Sequence, residues 1–364
     1  MRIAMLCPHY GIIERGTENT TRQISKRLKH KVDIFSVGYK GDIIINSLRK
    51  DKGLGKISNM LFDNSMLGGF FRKYIGFNPN IEDITFTLKT QGMLESLIDS
   101  YDLLWSNGEY WCADLVTYLG KKYKKPTVLF FGGGKSQMML EEAKMLPSLF
   151  VVLTPEMETW VKKKVPECNV KCIPCGADLK MFKPIKKIDG IEHPIVISTA
   201  ALVKGKRIEL IIDAMEKLGK GNLYVTSDGP LRHKIMVYGY KKLRTRFHYL
   251  GKVDYDTLPG YYSMADFMVL ASKNEPFGMT IIESMACNTP VIVQSDKTRR
   301  WMVGEGGIRL KDITDIDSLA RAIDMGTKLD WKNKPREQAI NFDWDNIAKQ
   351  YEKSIKEIVN EKTS

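Results

Sequence analysis

At 364 residues the chain is too long for one ordinary hydrophobic core, which sets an expectation of two domains. A hydrophobic share of 43% beside a charged share of 27% is that of a water-soluble globular protein, and apolar runs such as "LFVVLT" fall far short of a bilayer. The formal charge is +13, but the lysines are scattered and no RNA- or DNA-reading motif accompanies them, so no nucleic-acid partner is expected. The opening "MRIAMLC" enters a strand-like run at once and shows no secretory signal, which predicts a cytoplasmic protein.

Short β-rich runs alternate with helical patterns from end to end, the sign of parallel sheets with crossover helices. In the first half, strands are predicted over 2–7, 31–36, 102–105, 127–131, 150–153 and 170–173, and helices over 19–28, 113–122 and 156–164. Near "FKPIKKIDGIEHP" the pattern lapses into Pro, Gly and charge, which reads as a linker. A second series follows, with a strand at 195–199 and a helix at 207–218 whose apolar positions are Ile208, Ile211, Ile212, Met215 and Leu218. Strands at 223–226 and 247–250, a helix at 257–264, a strand at 267–271, a helix from about Gly278 and a strand at 290–293 complete it. The expected fold class is α/β, with two doubly wound, Rossmann-like domains facing a cleft: 1–185, 186–340, and a closing helix in 341–364 that returns toward the first domain. In such sheets ligands bind beyond the carboxyl ends of the strands.

That rule draws attention to "SKNEPFGMTIIESMACNTPVIV", where Glu275 and Glu283 bracket a Pro-Phe-Gly turn and the start of a helix. Met279, Ile282, Met285 and Ala286 share one face by the i, i+3, i+4 rule and should pack on the sheet. Glu283 falls on another face with Thr280 and Cys287, about 7 Å along the axis from Gly278. The first free N–H groups of that helix favour a phosphate, and Gly278 lets the backbone come close to one. Ionised carboxylates only accept hydrogen bonds, so sugar and ribose hydroxyls suit Glu275 and Glu283. Lys204, Lys206 and Arg207 crowd another helix start, where the macrodipole disfavours cations unless an anion is bound.

Taken together, "NEPFGMTIIESMACNTPVIV" resembles the E-x7-E signature of retaining glycosyltransferases of the GT-B fold, particularly glycosyltransferase family four. "CIPCGADLKMFKP", "LYVTSDGPLRHKI", "YLGKVDYDTLPGYYSMADFMVLAS" and "RRWMVGEGGIRL" are similar to further family segments, and the likeness is strongest over residues 172–325. The resemblance implies that Glu275 and Lys206 are catalytic and that Glu283 holds the nucleotide ribose. It places Phe277, Gly278, Met279 and Thr280 at sugar hydroxyls and phosphate. Lys204 and Arg207 fall near the diphosphate, Asp228 and Gly229 in the family's second-domain turn, Val253 against the base, and Gly16 near the donor phosphates. It further implies a UDP- or GDP-sugar substrate, no metal or other cofactor, and a hydroxyl acceptor that is a glycan, a lipid-linked glycan or a small molecule. A lipid-linked acceptor would bring peripheral contact with the inner membrane face. Three positions depart from the pattern: Ala201 replaces the usual arginine, Phe131 the usual histidine, and Gly16-Thr17 a glycine pair. An epimerase or phosphorylase of the same fold, or a non-catalytic homologue that binds nucleotide sugars or anions, is the alternative.

Other motifs have plainer readings. "GGGKS", Gly132 to Ser136, lacks the glycine that a nucleotide-triphosphate P-loop needs five positions before Gly134 and reads as a flexible glycine turn over the cleft, with N–H groups able to help cradle an anion. The triplets Asp254-Tyr255-Asp256, Asp315-Ile316-Asp317 and Asp343-Trp344-Asp345 each precede or open a predicted helix, where Asp caps, so no metal role is expected. Cys168, Cys172 and Cys175 lack a fourth ligand nearby and are read as soft packing around a short strand. Of five histidines only His9 is placed at the cleft. "MLGGFFRKYIGF", Met66 to Phe77, could dip into a membrane interface, although a buried helix suits it as well.

Overall fold

A computed structural model describes residues 1–12, 16–38, 40–45, 81–108, 110–186 and 190–363. The chain forms two compact units, Met1–Pro174 with Ile347–Ser364, and Cys175–Asn346.

In the first unit a seven-stranded parallel sheet has the order β3-β2-β1-β4-β5-β6-β7. Its strands are β1 (Arg2–Leu6), β2 (Lys31–Ser36), β3 (Ile43–Ile44), β4 (Leu103–Asn107), β5 (Thr127–Phe131), β6 (Leu149–Val152) and β7 (Val170–Cys172). The central runs "TVLFF" and "LFVV" are buried along their whole length, as strands must be when helices cover both faces of a parallel sheet. Those helices are α1 (Gly16–Ser25), α2 (Ile81–Ser96), α3 (Tyr110–Lys122), α4 (Gln137–Lys144) and α5 (Pro155–Lys164). Ser136 caps α4 and Thr154 caps α5, accepting from the amides of Met139 at 3.3 Å and Met157 at 3.2 Å, and Pro155 pre-sets the first turn of α5. The "GGGKS" segment is therefore a turn that delivers Ser136 to a helix start. Burial pushes the thiols of Cys168, just before β7, and Cys172, its last residue, up to about 12, so both stay protonated at neutral pH.

The second unit holds a six-stranded parallel sheet in the order β10-β9-β8-β11-β12-β13. These strands are β8 (Ile195–Ser198), β9 (Asn222–Val225), β10 (Phe247–Tyr249), β11 (Phe267–Leu270), β12 (Val291–Gln294) and β13 (Gly307–Leu310). Between them run α6 (Ile208–Leu218), α7 (Arg232–Leu243), α8 (Leu258–Met264), α9 (Met279–Ala286) and α10 (Lys297–Val303), followed by α11 (Ile316–Gly326) and α12 (Lys334–Ile340). Of the stripe its periodicity predicts, helix α6 buries Ile208, Ile211, Ile212 and Met215 and leaves Leu218 half-buried, and it stops at Gly219 with φ 76°. Helix α9 departs from expectation. Ile281, Glu283 and Ser284 are buried along with Ile282, Met285 and Ala286, whereas Met279 is half-exposed. The reason is that α8 and α12 pack on the side of α9 turned away from the sheet, so no face of its middle is left to water.

In both sheets the chain leaves the first strand in one direction and later resumes on its other side. The reversal lies between β1 and β4 in the first unit and between β8 and β11 in the second. Loops that follow such a pair part to opposite faces and leave a crevice. No helix of the described residues is long and apolar enough to cross a membrane, and the Met66 to Phe77 stretch lies outside the described residues.

The last helix, α13 (Trp344–Thr363), carries the chain back into the first unit from Ile347 onward. There Tyr351 is fully buried with its ring 5.1 Å from that of Trp105 in β4, and Lys171 in β7 pairs with Glu357. Tyr351→Ala should cost about 3–5 kcal/mol, as loss of a buried aromatic ring does, read as a lowered midpoint in urea unfolding.

Candidate functional site

In the second unit the loops after β8 and β11, residues 199–207 and 271–278, flank the reversal. The first is pinned from beneath by the "SDGP" turn: Leu202 N–H donates to the Asp228 carbonyl at 3.0 Å, and Leu231 N–H to the Leu202 carbonyl at 3.0 Å. Gly229 is required there, since a Cβ would stand 2.6 Å from the Leu202 oxygen. The loop ends in a 3-10 turn over Lys204–Lys206, and Arg207, at φ 50°, leads into α6.

The second loop is tied to the first. Lys273 N–H donates to the Gly205 carbonyl at 2.8 Å, and Arg207 Nε donates to the Ala271 carbonyl at 2.7 Å. From the other side the buried Arg299 donates to the carbonyl of Glu275 at 2.6 Å while its guanidinium pairs with Asp296 at 2.8 Å. Held in this way, the Glu275 carboxylate meets Lys206 Nζ at 2.5 Å, the two side chains being 11% and 26% exposed. Of the three clustered cations, Lys206 thus faces the acidic loop, Arg207 braces it, and Lys204 is exposed to solvent.

Gly278 follows with φ 96°, a conformation that favours glycine, and a Cβ there would fall 3.3 Å from Glu275 Cγ. No side chain caps α9, so the N–H groups of Met279 and Thr280 keep their hydrogen-bonding capacity, while that of Ile281 donates to the Gly278 carbonyl at 2.9 Å. The Phe277 ring turns inward against Trp301 and Phe342, leaving only its backbone near the loop, while Met279 and Thr280 are half-exposed.

Glu283 lies deeper, 3% exposed, and accepts from the hydroxyls of Tyr255 at 2.8 Å and Tyr262 at 3.2 Å. Burial pushes its carboxyl above the ordinary value, and the two phenols pull it back in part. Tyr262 is itself fully buried, with Thr199 Oγ1 at 3.0 Å from its hydroxyl, and burial next to Glu283 drives that phenol well upward. A carboxylate has about four lone-pair sites, so two phenols leave room for a further donor.

The remaining expected residues are dispersed. Asp228 is exposed, with Arg232 at 3.7 Å, and Val253 sits in the loop after β10 next to Gly251 at φ 70°. Gly16, at the start of α1, and Phe131, buried with its ring 6.4 Å from that of Phe150, belong to the first unit, as does His9. Among the Asp triplets, Asp315 caps α11 through the amides of Asp317 and Ser318, and Asp343 accepts from the Asp345 amide. Asp254 departs from this: its main-chain carbonyl, rather than its carboxylate, takes the Thr257 amide. Among the described residues no group of three or more His, Cys, Asp or Glu side chains is disposed to hold a metal. Arg299, Tyr255, Tyr262 and Thr199 are the site residues that sequence reasoning missed.

Residues 182–341 match the model of the family described as glycosyl transferases group 1. The match covers less than half of the chain. The chain is 32% identical over 140 residues to the lipopolysaccharide core biosynthesis glycosyltransferase LpsE of Rhizobium meliloti, covering 36% of this chain and 39% of that protein. It is 30% identical over 149 residues to the mannosylfructose-phosphate synthase of Agrobacterium fabrum, covering 34% and 32%. The chain therefore spans less than half the length of the curated relatives it matches. Among solved structures, sucrose-phosphate synthase from Thermosynechococcus elongatus superposes with a TM-score of 0.75 at 20% identity over 98% of both chains. Anabaena HepE in complex with UDP and glucose gives 0.72 at 16% identity over 98% of this chain and 99% of that one. At such identities the likeness shows the fold, which is that of GT-B glycosyltransferases.

A carboxyl whose folded value lies above its unfolded one favours the folded state while protonated. Its contribution is complete below the ordinary value of 4.5 and is lost as pH rises through the raised folded value. Thermal denaturation across that window should show stability falling with pH in the wild type and a flatter profile in Glu283→Gln. Tyr262→Phe should cost about 1.5–3 kcal/mol, the worth of a buried hydrogen bond to a charged group, and should steepen the same profile.

Proposed function

We propose that the protein transfers a sugar from a nucleoside-diphosphate sugar to a hydroxyl acceptor, with retention of anomeric configuration and without a metal ion. The observation that carries this reading is the Lys206–Glu275 pair at the β8/β11 reversal, next to an uncapped helix start that Gly278 opens. As the glycosidic bond breaks, negative charge grows on the departing diphosphate. Lys206 and the first amides of α9 are fixed cationic and dipolar groups that stabilise that charge without reorganising. They supply the electrostatic role that a metal fills elsewhere. Glu275 takes a hydroxyl of the transferred sugar while orienting Lys206, and the free lone pairs of Glu283 take a ribose hydroxyl. Lys204 lends further positive charge from the solvent side.

The retaining course follows from the family resemblance: the leaving phosphate oxygen receives the acceptor's proton on the face from which it departs. UDP is the nucleotide to test first, because HepE was crystallised with UDP and glucose, and GDP is the second. The acceptor class remains a glycan, a lipid-linked glycan or a small molecule.

Lys206→Ala and Glu283→Ala should each weaken UDP or GDP binding by roughly 10- to 100-fold, the worth of one charge-assisted contact, in calorimetric titration. Unchanged affinity in both variants would remove the assignment. NMR of the product should show the donor's anomeric configuration, and turnover that proceeds without any acceptor would point instead to an epimerase.

A further inference from the structure

Although lysines are spread along the whole chain, one stretch of the second unit is unbalanced. Between Asp228 and Asp254 lie seven lysines and arginines and no acidic residue. The stretch holds α7 and the edge strand β10 that follows it. Helix α7 is a fixed platform. Ile235, Gly239 and Leu243 are buried on its inner side, and a Cβ on Gly239 would stand 2.5 Å from Phe247 Cζ in β10.

Some of these cations are answered within the unit. Arg232 stands 3.7 Å from Asp228, Lys242 pairs with Glu216 of α6 at 2.6 Å, and Arg246 donates to the Met215 and Lys220 carbonyls at 3.1 Å. Lys234, Lys241 and Arg244 are exposed and meet no carboxylate among the described residues. Steps of three and four residues bring Lys234, Val237, Lys241 and Arg244 onto one outward side, with Tyr240 beside them. Val237 is 54% exposed and Tyr240 47% exposed. The Tyr240 ring stands edge-on to Phe247, 5.1 Å between centroids, which holds it half in the open.

Three unanswered cations on one side repel one another, and a valine turned to water gains nothing there. A layer that is anionic at its surface and apolar beneath meets both conditions. Lysine and arginine stems can lie along such a layer while their charges reach phosphates, and a phenol suits its boundary because the ring is apolar and the hydroxyl polar. A nucleic acid would neutralise the cations but offer nothing to Val237.

We infer that the second unit rests on an anionic lipid bilayer through α7, with Val237 and Tyr240 at the depth of the headgroups and Lys234, Lys241 and Arg244 against the lipid phosphates. The contact uses none of the side chains given to the sugar donor, so it stands or falls apart from the transfer reading.

The test is flotation of the full chain with vesicles of phosphatidylcholine alone and with vesicles in which about a third of the lipid is phosphatidylglycerol. Only the anionic vesicles should carry the protein. Lys234→Glu, Lys241→Glu and Arg244→Glu together should weaken that binding at least about 100-fold, since each cation at such a surface contributes about fivefold. Val237→Ser with Tyr240→Ser, which leaves the charge untouched, should weaken it about tenfold. Lys163→Glu with Lys164→Glu, exposed on α5, should change it less than about threefold. Equal binding to neutral vesicles, a loss in the α5 pair as large as in the α7 triple, or a serine pair that binds like the wild type would overturn the inference. So would tighter binding to a single-stranded RNA oligonucleotide than to the anionic vesicles. If a variant does not fold, by its urea midpoint, the wild-type ranking of the two vesicles and the RNA decides.

Discussion

Two guanidinium groups hold the loop on which the second unit's chemistry depends. Arg207 donates to the carbonyl of Ala271 at the loop's start, and Arg299 donates to the carbonyl of Glu275 itself. An irregular segment between a strand and a helix has carbonyls with no ladder or helical partner, and buried ones must find donors. Arg299 supplies one at the cost of burying a charge, which Asp296 offsets from the N-cap of α10. With the backbone fixed at both points, the Glu275 side chain has one direction to take, and Lys206 meets it there. The ion pair is thus a result of how the loop is tethered more than of attraction across open solvent.

Much of the architecture was legible in the sequence because parallel strands buried on both faces read as unbroken apolar runs, as "TVLFF" and "LFVV" do. Helix α6 was legible because one clean stripe faces its sheet. Helices α2, α7 and α10 were not. Leu88 in α2 and Val237 and Tyr240 in α7 are exposed, so apolar residues fall on more than one face, and α10 is a short, cationic segment. The middle of α9 was misread for the opposite reason, since a helix covered on both sides carries no single stripe to find.

At the site, the spacing of Glu275 and Glu283 and the cluster around Lys206 carried enough chemistry to be noticed. The groups that fix them did not. Tyr255 and Tyr262 reach Glu283 from 28 and 21 residues away, and Arg299 reaches Glu275 from 24. A phenol in "VDYDTLPGYY" reads as an ordinary interfacial aromatic, and an arginine in "KTRRWM" reads as a solvated charge. Only the packing of α8, the loop before it and α10 turns them into ligands of a carboxylate and a carbonyl.

The contact between Thr199 and Tyr262 extends the influence of Glu283 beyond its own helix. While that carboxyl is ionised, the Tyr262 hydrogen points to it, so the hydrogen shared between Tyr262 and Thr199 must come from Thr199. Protonating the acid frees the phenol hydrogen and allows the pair to reverse. One proton on a buried acid therefore sets the orientation of two hydroxyl dipoles, the second of them standing just past the end of β8.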